Sequence, residues 1–467
     1  MMASARILAA GAAMFVWIAF CGFASTPSKR LNADIIVTAS PFYKPLAELQ
    51  GGERFPNGAQ LLLVHNGVAK LLVHDFAATA DADVSYDGKF VLFSGKKAES
   101  DPWQIWELTL LDGSLRKVVT SATDAQRPFY LPGGRLIWAE RTSRGFRIES
   151  DGDGHAPAQQ FLNPSAGPGV LPLTYTRGSA FPTDVLADGR ILFESGFPLS
   201  DGSIPDLYLV YADGSGVESY RCDHGRARWG GRQLASGDVV FTHGRSLARF
   251  TSPLAHEQPI AAPRGEYSGA IVEAQPDAWL VSARLGADAH FSLKSWKPGA
   301  VTMETILAQR NEDIVEPVLV AAHTRPNRHP SGLHPWDYAN LLVLDARLSR
   351  DGNLKTAPSA VRLEMQNENG AAVSIGTAPV ESDGSFFVKV PADKPVRFAL
   401  LDGKGSVLRR EQGWFWIRKG EQRICVGCHT GPERASENRV PAVLLRTTTP
   451  FDLTGQAPAA GAPQKGQ

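Results

Sequence analysis

Apolar positions in the middle of the chain recur in short blocks, and each block follows a tight polar turn. In 83–95, Asp87-Gly88 is followed by the strand-like stretch KFVLFSG. The same arrangement recurs in four further segments: 127–141, 181–195, 231–244 and 272–284. The second turn residues are 46, 55, 48 and 40 residues apart along the sequence. A period of roughly 40–55 residues holding four short strands is typical of one propeller blade, so the pattern predicts an all-β fold.

Two of these units also repeat internally. Asp87-Gly88 is followed by a second Asp-Gly pair at 112–113, and Asp188-Gly189 by another at 213–214. Between the members of each pair lies a stretch with alternating apolar and polar residues, which is typical of a half-buried strand. Asp-Gly supplies the positive φ that a tight hairpin requires. The repeats predict a β-propeller over 35–322, with six or seven blades according to whether 55–75 and 313–348 are counted.

The C-terminal third changes character. Residues 323–355 are rich in Pro and His and predict a linker followed by a closing strand. In 356–412 apolar residues alternate again, for example at Phe386, Val388 and Val390, which predicts a small β-sandwich. The segment 413–446 contains two cysteines and a histidine, Cys425, Cys428 and His429, in a short motif. The last residues, 447–467, are rich in Ala, Pro, Gly and Gln, a composition typical of disorder.

The N-terminus has the features of an export signal. Arg6 precedes an apolar run from Ile7 to Phe20, and cleavage after Ala24 would remove a signal peptide of residues 1–24. The alternatives are lipidation of Cys21 and retention of the apolar segment as an anchor. All three place the remaining chain in the periplasm or another extracytoplasmic compartment, and after cleavage no membrane span remains. Lys plus Arg (48) balance Asp plus Glu (48), which argues against a nucleic-acid partner.

One short motif carries specific chemistry: Cys425-Val426-Gly427-Cys428-His429. Two thiols separated by two residues and followed by His form the attachment pattern of haem c (heme c). The thiols bind the porphyrin covalently and His429 becomes a ligand of the iron. A disulfide, a zinc knuckle and a chance match are the alternatives. A zinc knuckle needs further Cys or His nearby, which the following segment lacks. The motif therefore predicts one covalent haem.

The residues around the motif suggest how a haem would be held. Trp416 and its neighbours Trp414, Phe415 and Ile417 are candidate walls of a dry pocket. Arg423 is a candidate partner for a haem propionate, together with Arg418, Arg434 and Arg439. Each of these residues has an ordinary structural alternative, as a core aromatic or a surface charge.

The second axial ligand is not determined by the sequence. The candidates are several histidines and two weaker methionines: His65, His74, His155, His224, His243, His323, His329, His334, Met303 and Met365. Cys222-Asp223-His224 places a thiol, a carboxylate and an imidazole side by side, a donor set that suits zinc or haem iron. The alternative is that Cys222 is a small core residue.

The C-terminal third resembles a known family. Two stretches, DGSFFVKVPADKPVRFALLD and WFWIRKGEQRICVGCHTGPERASENRVP, are similar to the α-subunit family of hydrazine synthase, including a Glu-Asn-Arg segment at 437–439. The resemblance implies a haem on Cys425 and Cys428, with His429 at its iron or at a neighbouring zinc. Family members carry an iron-ligating tyrosine four residues beyond that histidine, where this chain has Glu433. The family also has a second haem motif, and this chain has one. Both departures argue against hydrazine synthesis.

These observations favour a c-type haem protein with a redox role, either electron transfer or chemistry on peroxide or a small nitrogen compound. Such a protein needs a redox partner, and the resemblance adds an oligomer or multi-subunit complex. The alternative is a propeller that binds a partner at the cell surface, with an accessory haem.

Overall fold

Four-stranded antiparallel sheets are the repeating unit of the structure, a computed structural model. It describes residues 33–151, 169–197, 204–221, 226–253, 255–286, 288, 290–348, 352, 354–367, 369–411, 413–427 and 439–455. The predicted signal peptide, the 447–467 tail beyond 455 and the end of the haem motif lie outside these residues. The described part of the chain contains no helix with the length and hydropathy needed to span a bilayer.

Six sheets make up the propeller, and five of them run outward from the axis in chain order. The first three sheets use β1 (Asp34–Ser40), β2 (Gln60–His65), β3 (Val68–Leu71), β4 (Ala78–Val84), β5 (Phe90–Lys96), β6 (Gln104–Thr109), β7 (Leu115–Val119), β8 (Ala125–Leu131), β9 (Arg135–Thr142), β10 (Gly145–Asp151) and β11 (Val170–Pro172). The next three use β12 (Ala180–Val185), β13 (Ile191–Phe197), β14 (Ile204–Val210), β15 (Glu218–Ser219), β16 (Arg228–Gln233), β17 (Val239–His243), β18 (Ser246–Phe250), β19 (Gln258–Pro259), β20 (Gly265–Gln275), β21 (Ala278–Leu285), β22 (Ser292–Trp296) and β23 (Glu304–Leu307).

The ring is closed by a late strand. β24 (Asp313–Val320) pairs antiparallel with β1 and supplies the innermost strand of the first blade. The all-β propeller prediction is confirmed, and the described strands form six blades. The 313–348 segment does not add a seventh, because its first half completes blade one and its second half belongs to the next domain. A short 3-10 helix, Ala47–Gln50, lies between β1 and β2.

The second domain is a sandwich of two four-stranded sheets. Its elements are β25 (Ala339–Val343), β26 (Ala360–Gln366), β27 (Ala372–Pro379), β28 (Phe386–Val390), β29 (Val396–Leu401), β30 (Val407–Arg410), β31 (Gln422–Cys425), the helix Ala442–Arg446 and β32 (Phe451–Asp452). One sheet has the order β31-β25-β28-β32 and the other β27-β26-β29-β30. The 323–355 segment, predicted as a linker with a closing strand, thus contributes β25 to this domain.

The Pro- and His-rich segment crosses the propeller face before it reaches the sandwich. The His323 amide donates to the Tyr86 carbonyl at 3.0 Å, and the Asn327 amide to the Ala187 carbonyl at 2.9 Å. Two Asp-Gly turns permit this approach. A Cβ at Gly88 would lie 2.8 Å from the Ala322 nitrogen, and one at Gly189 would lie 2.2 Å from the Asn327 carbonyl oxygen. The turn glycines therefore supply both the positive φ and the space for the crossing segment.

Candidate functional site

The first cysteine of the motif lies at the edge of the sandwich. β31 pairs in parallel with β25, with Val343 opposite Cys425. The Leu344 amide donates to the Cys425 carbonyl at 2.9 Å, so the end of the strand is held at the sheet. Since side chains alternate along a strand, Cys425 and Arg423 face inward while Ile424 is 64% exposed.

The chain leaves β31 through a close contact at Gly427. A Cβ there would lie 2.8 Å from the Asp345 carbonyl oxygen and 2.9 Å from the Leu348 Cβ. The Asp345 amide also donates to the Val426 carbonyl at 3.2 Å. Gly427, the second variable position of the Cys-x-x-Cys motif, is therefore packed against the turn after β25. A larger residue at this position would displace the motif from that turn.

Cys425 opens onto a large cavity between the sandwich and the fourth blade. Its empty volume is about 1120 Å³, and its residues are mostly aromatic or aliphatic. The sandwich side provides Leu341, Val343, Phe386, Phe398, Glu411, Gly413, Trp414, Phe415, Trp416, Arg423, Cys425 and Gly427. The propeller side provides Thr176, Phe193, Ser195, Gly196, Tyr208, Val217, Glu218 and Ser219. A concave, largely apolar space with a few convergent polar groups is the usual form of a cofactor site.

Arg423 is the cation of this cavity. Its Nε donates to Glu421 at 2.9 Å and its Nη1 to the Trp416 carbonyl at 3.3 Å. Its Nη2 is buried and has no hydrogen-bond partner among the described residues. A buried donor without a partner costs about 1–3 kcal/mol. The cavity therefore presents a fixed positive group that an anionic ligand would satisfy.

The two sides of the cavity are joined by buried polar contacts. The Trp416 indole donates to the Gly214 carbonyl at 3.3 Å, and Arg418 Nε donates to the Asp213 carbonyl at 3.0 Å. Arg418 also donates to the Tyr175 hydroxyl and forms an ion pair with Asp393 at 2.6 Å. These contacts fix the sandwich against the second Asp-Gly turn of blade four.

The described residues fit a covalently bound haem. Cys425 lies on the wall of the cavity, aromatic residues surround it, and Arg423 offers an unsatisfied donor for a carboxylate. Burial raises the pKa of the Cys425 thiol, and the nearby Arg423 charge partly offsets this effect. The lining near the thiol is mostly apolar, which suits the face of a porphyrin.

The structure brings together some of the predicted site residues. Cys425, Arg423 and Trp416 line one cavity, with Trp414 and Phe415. Ile417, also predicted to wall it, is instead buried in the sandwich core. Eight predicted residues lie outside the described part of the chain: His155, Cys222, Asp223, His224, Cys428, His429, Glu433 and Arg434. Their roles, and that of a zinc ion, stay predictions.

Two of the arginines predicted to bind propionates are used elsewhere. Arg418 connects the sandwich to the propeller, as described above. Arg439 donates to Asp383 at 2.6 Å, beside the C-terminal helix. Arg434 lies outside the described residues.

No described histidine or methionine lines the cavity. His65 pairs with Asp34 at 2.6 Å, and His243 pairs with Glu257. The three linker histidines contact aromatic rings: His329 stacks on Tyr211, His334 stacks on Trp336, and His323 lies against Tyr86 with the rings tilted by 59°. His74 is exposed, Met303 packs beside the core of blade six, and Met365 lies on β26. Among the described residues, no group of three or more His, Cys, Asp or Glu is placed to hold a metal.

The sequence did not indicate the propeller half of the cavity. Phe193, Tyr208 and Val217 lie in repeats that look like those of the other blades. Only the packing of the sandwich on blade four distinguishes them.

Fold and site together define the class: a six-bladed propeller followed by a β-sandwich whose edge strand bears a cysteine of a haem-attachment motif. Residues 339–430 match the hydrazine synthase alpha subunit middle domain. Hydrazine synthase subunit alpha of Kuenenia stuttgartiensis is 23% identical over 520 residues, which covers 81% of this chain and 63% of that protein. The solved hydrazine synthase of the same organism superposes with a TM-score of 0.75 at 18% identity, over 89% of this chain and 71% of that one.

The chain is therefore a relative of the hydrazine synthase alpha subunit, as its resemblance implied. It spans less than two thirds of the length of that curated relative.

Proposed function

We propose that this chain is an exported redox protein that acts with a small nitrogen compound through one covalent haem c. The observation that carries the proposal is the position of Cys425, the first thiol of the motif, on the wall of the 1120 Å³ cavity. The relation to the hydrazine synthase alpha subunit supports a role in the redox chemistry of nitrogen compounds.

In this proposal Cys425 and Cys428 would hold the porphyrin and His429 would bind its iron. The haem supplies one-electron exchange and, where an axial position is open, binding of a small molecule. The aromatic wall at Trp414–Trp416 excludes water and so affects the reduction potential. Arg423 would hold a propionate through Nη2, which has no partner among the described residues. Glu218 and Glu411 are the carboxylates that line the cavity, and Glu218 is paired with Arg190 at 2.6 Å.

The first experiment measures covalent haem. The full-length protein is produced with a cytochrome c maturation system, and a denaturing gel is stained for haem. We expect one haem per chain by mass spectrometry. The double variant Cys425→Ala/Cys428→Ala should carry none, and Cys222→Ala, a cysteine outside the motif, should carry one. Colourless wild-type protein with Cys425 and Cys428 joined in a disulfide would contradict the proposal.

The second experiment tests the reactivity of the iron. Reduced protein is mixed with carbon monoxide, and its spectrum is compared with that of the untreated protein. A shift indicates an open axial position. Nitrite, hydroxylamine and hydrogen peroxide are then added separately in stopped flow. Reaction with either nitrogen compound supports the proposal, whereas an inert, six-coordinate haem indicates an electron carrier.

The relative is a subunit of hydrazine synthase, and we extend this to the chain as a further part of the proposal. The chain then works in a complex with other chains and receives or delivers electrons there. Size-exclusion chromatography of the protein from its natural host tests this. Elution as a lone monomer would contradict it.

A further inference from the structure

The axis of the propeller contains a second cavity that the haem proposal does not use. It has an empty volume of about 550 Å³ and shares no lining residue with the cavity at Cys425. It is lined by residues of the six innermost strands together with Tyr43, Pro45, Arg54 and Glu194. The pairing of each innermost strand is interrupted by a bulge or irregularity. The interruptions fall at 81–82, 127–128, 183, 230–231, 268–270 and 316–317.

Three of these bulges place charged residues in a strained conformation. Asp81, Arg127 and Glu316 have φ values of 58°, 50° and 54°. A long side chain in the left-handed region is uncommon and costs roughly 1–2 kcal/mol. Strain of this kind persists where the surrounding structure demands it, often at binding sites. Here the bulges direct the charged side chains toward the axis, where all three line the cavity.

The charges at the axis form one buried network. Arg54 pairs with Glu48, Asp81 and Glu316. Arg127 pairs with Glu48 at 3.0 Å and with Glu194 at 2.6 Å. Two guanidinium groups therefore face four carboxylates, which leaves an excess of two negative charges when all are ionised. Arg232, the other cation lining the cavity, lies 3.7 Å from Asp184, so its charge is matched there.

Burial within this network affects the ionisation of Glu316. Burial raises the pKa of Glu316 to about 7, and the Arg54 charge acts in the opposite direction. An ionised Glu316 is therefore incompletely compensated by the protein itself. A bound cation would supply the missing charge.

An independent observation also indicates a ligand. Ser268 is 2% exposed and lines the cavity, yet its Oγ has no hydrogen-bond partner among the described residues. Its backbone carbonyl already accepts the Tyr43 hydroxyl at 3.0 Å. A buried hydroxyl is normally paired, so this oxygen is available to a donor placed on the axis.

The rest of the lining is apolar. Prolines, aromatic rings and small aliphatic residues surround the charged network: Pro45, Ala82, Pro128, Phe129, Pro182, Trp229, Ala270 and Val318. A divalent metal is disfavoured because guanidinium groups stand between the carboxylates, and the described residues contain no metal-type cluster there. An anion would meet the excess negative charge. The remaining class is a molecule with a cationic head and a short apolar body.

We propose that the propeller axis binds a small organic ammonium ion, whose head donates to Glu316 and Ser268 Oγ and whose alkyl part packs on the proline and aromatic lining.

Calorimetry of the full-length, haem-loaded protein tests this proposal with n-butylammonium chloride as the probe. We expect one saturable site. Butyrate, of similar shape but opposite charge, should not bind, and ammonium chloride at equal ionic strength should bind at least about tenfold more weakly, because it cannot bury an alkyl chain.

Variants assign the binding to the axis. Ser268→Ala removes one acceptor and should weaken binding about fivefold. Glu316→Gln should weaken it at least about tenfold, because an acceptor charge is lost. Glu304→Gln, which changes an exposed carboxylate on β23, should leave binding unchanged. Ser268→Ala is a small change, so it keeps the test informative if the Glu316 variant unfolds.

Three results would overturn the proposal. They are the absence of saturable n-butylammonium binding to wild-type protein, equal binding of butyrate, and binding that Ser268→Ala and Glu304→Gln affect equally. In those cases the network of ion pairs only stabilises the centre of the propeller.

Discussion

The Asp383 carboxylate accepts a hydrogen bond of 2.6 Å from the Arg439 guanidinium. Arg439 follows the haem motif in the sequence. The same oxygen accepts the Ala442 amide at 2.7 Å, and the Ser385 hydroxyl accepts the Val443 amide at 3.1 Å. The hairpin before β28 therefore holds the start of the C-terminal helix. Because Cys425 is held at β31, both ends of the motif segment are tied to the same sheet.

Loss of this contact should loosen the segment. Asp383→Ala removes the acceptor of four hydrogen bonds, from Ser385, Arg439 and Ala442, and should lower the free energy of unfolding by about 2 kcal/mol, measured by urea denaturation. It should also lower the haem content. Arg446→Ala breaks an exposed pair with Glu381 and should cost less than about 1 kcal/mol. Equal effects of the two substitutions would contradict the assignment.

Asp383 also gives a pH dependence in acid. Burial alone would raise the pKa of Asp383, but hydrogen bonds from Ser385, Ala442 and Arg439 outweigh it and lower the pKa to about 2. A carboxyl with a lowered folded pKa stabilises the protein above its ordinary pKa of about 4 and loses that contribution as pH falls. Wild type should therefore lose stability relative to Asp383→Asn between about pH 4 and 2.

Gly427 provides a test of the packing beneath the motif. Gly427→Ala places a Cβ 2.8 Å from the Asp345 carbonyl oxygen, so the chain must shift, at a cost of about 1–3 kcal/mol. We expect a lower melting temperature and incomplete haem attachment, measured by calorimetry and haem staining.

Gly403→Ala is the matched control, because nothing lies within 4 Å of a Cβ at that turn. Unchanged haem loading in Gly427→Ala would show that the motif tolerates displacement.

The connection between sandwich and propeller depends on Arg418. Lysine at this position cannot donate to the Asp213 carbonyl, Tyr175 and Asp393 together, because it lacks the planar fork of arginine. Arg418→Lys should lower stability by about 2 kcal/mol and increase cleavage between the domains in limited proteolysis. Arg410→Lys alters a half-exposed pair with Glu364 and should behave as wild type.

Asp83 predicts a second pH effect, of opposite sign to that of Asp383. Burial raises the pKa of Asp83 to about 7. The hydrogen bond from the Tyr130 amide and the charge of Arg232 act in the opposite direction but do not outweigh burial. The folded state then holds a proton that the unfolded chain releases above about pH 4, so stability falls as pH rises from about 4 to 7. The difference in unfolding free energy between wild type and Asp83→Asn should change by at most about 1.4 kcal/mol per pH unit in this window. Asp277→Asn, at an exposed turn, should follow wild type. A constant difference across the window would contradict the raised pKa.

Local features of the fold were accessible from sequence, and distant pairings were not. The Asp-Gly turns at Gly88, Gly113, Gly189 and Gly214 all have positive φ, as hairpin chemistry requires. The pairing of β24 with β1, and that of β25 with β31, depend on residues far apart in the chain, which no local pattern encodes. The number of blades therefore stayed open.

The same distinction applies to the candidate site. Cys425, Arg423 and Trp416 are close in sequence, and the motif located them. The blade-four wall at Phe193, Tyr208 and Val217 comes from the docking of two domains. The axial network was missed because it depends on bulges, and a bulge leaves no clear mark in a single sequence.

The closure of the ring by β24 also sets an order of assembly. While the chain emerges from its N-terminus, β1 is an open sheet edge, able to pair with other chains, until Val320 is available. Such long-range pairing is slow to form. The haem motif is synthesised later still. The propeller residues that line its cavity are therefore made before Cys425 and Cys428. A chain that stopped before β24 would expose its first strand and aggregate.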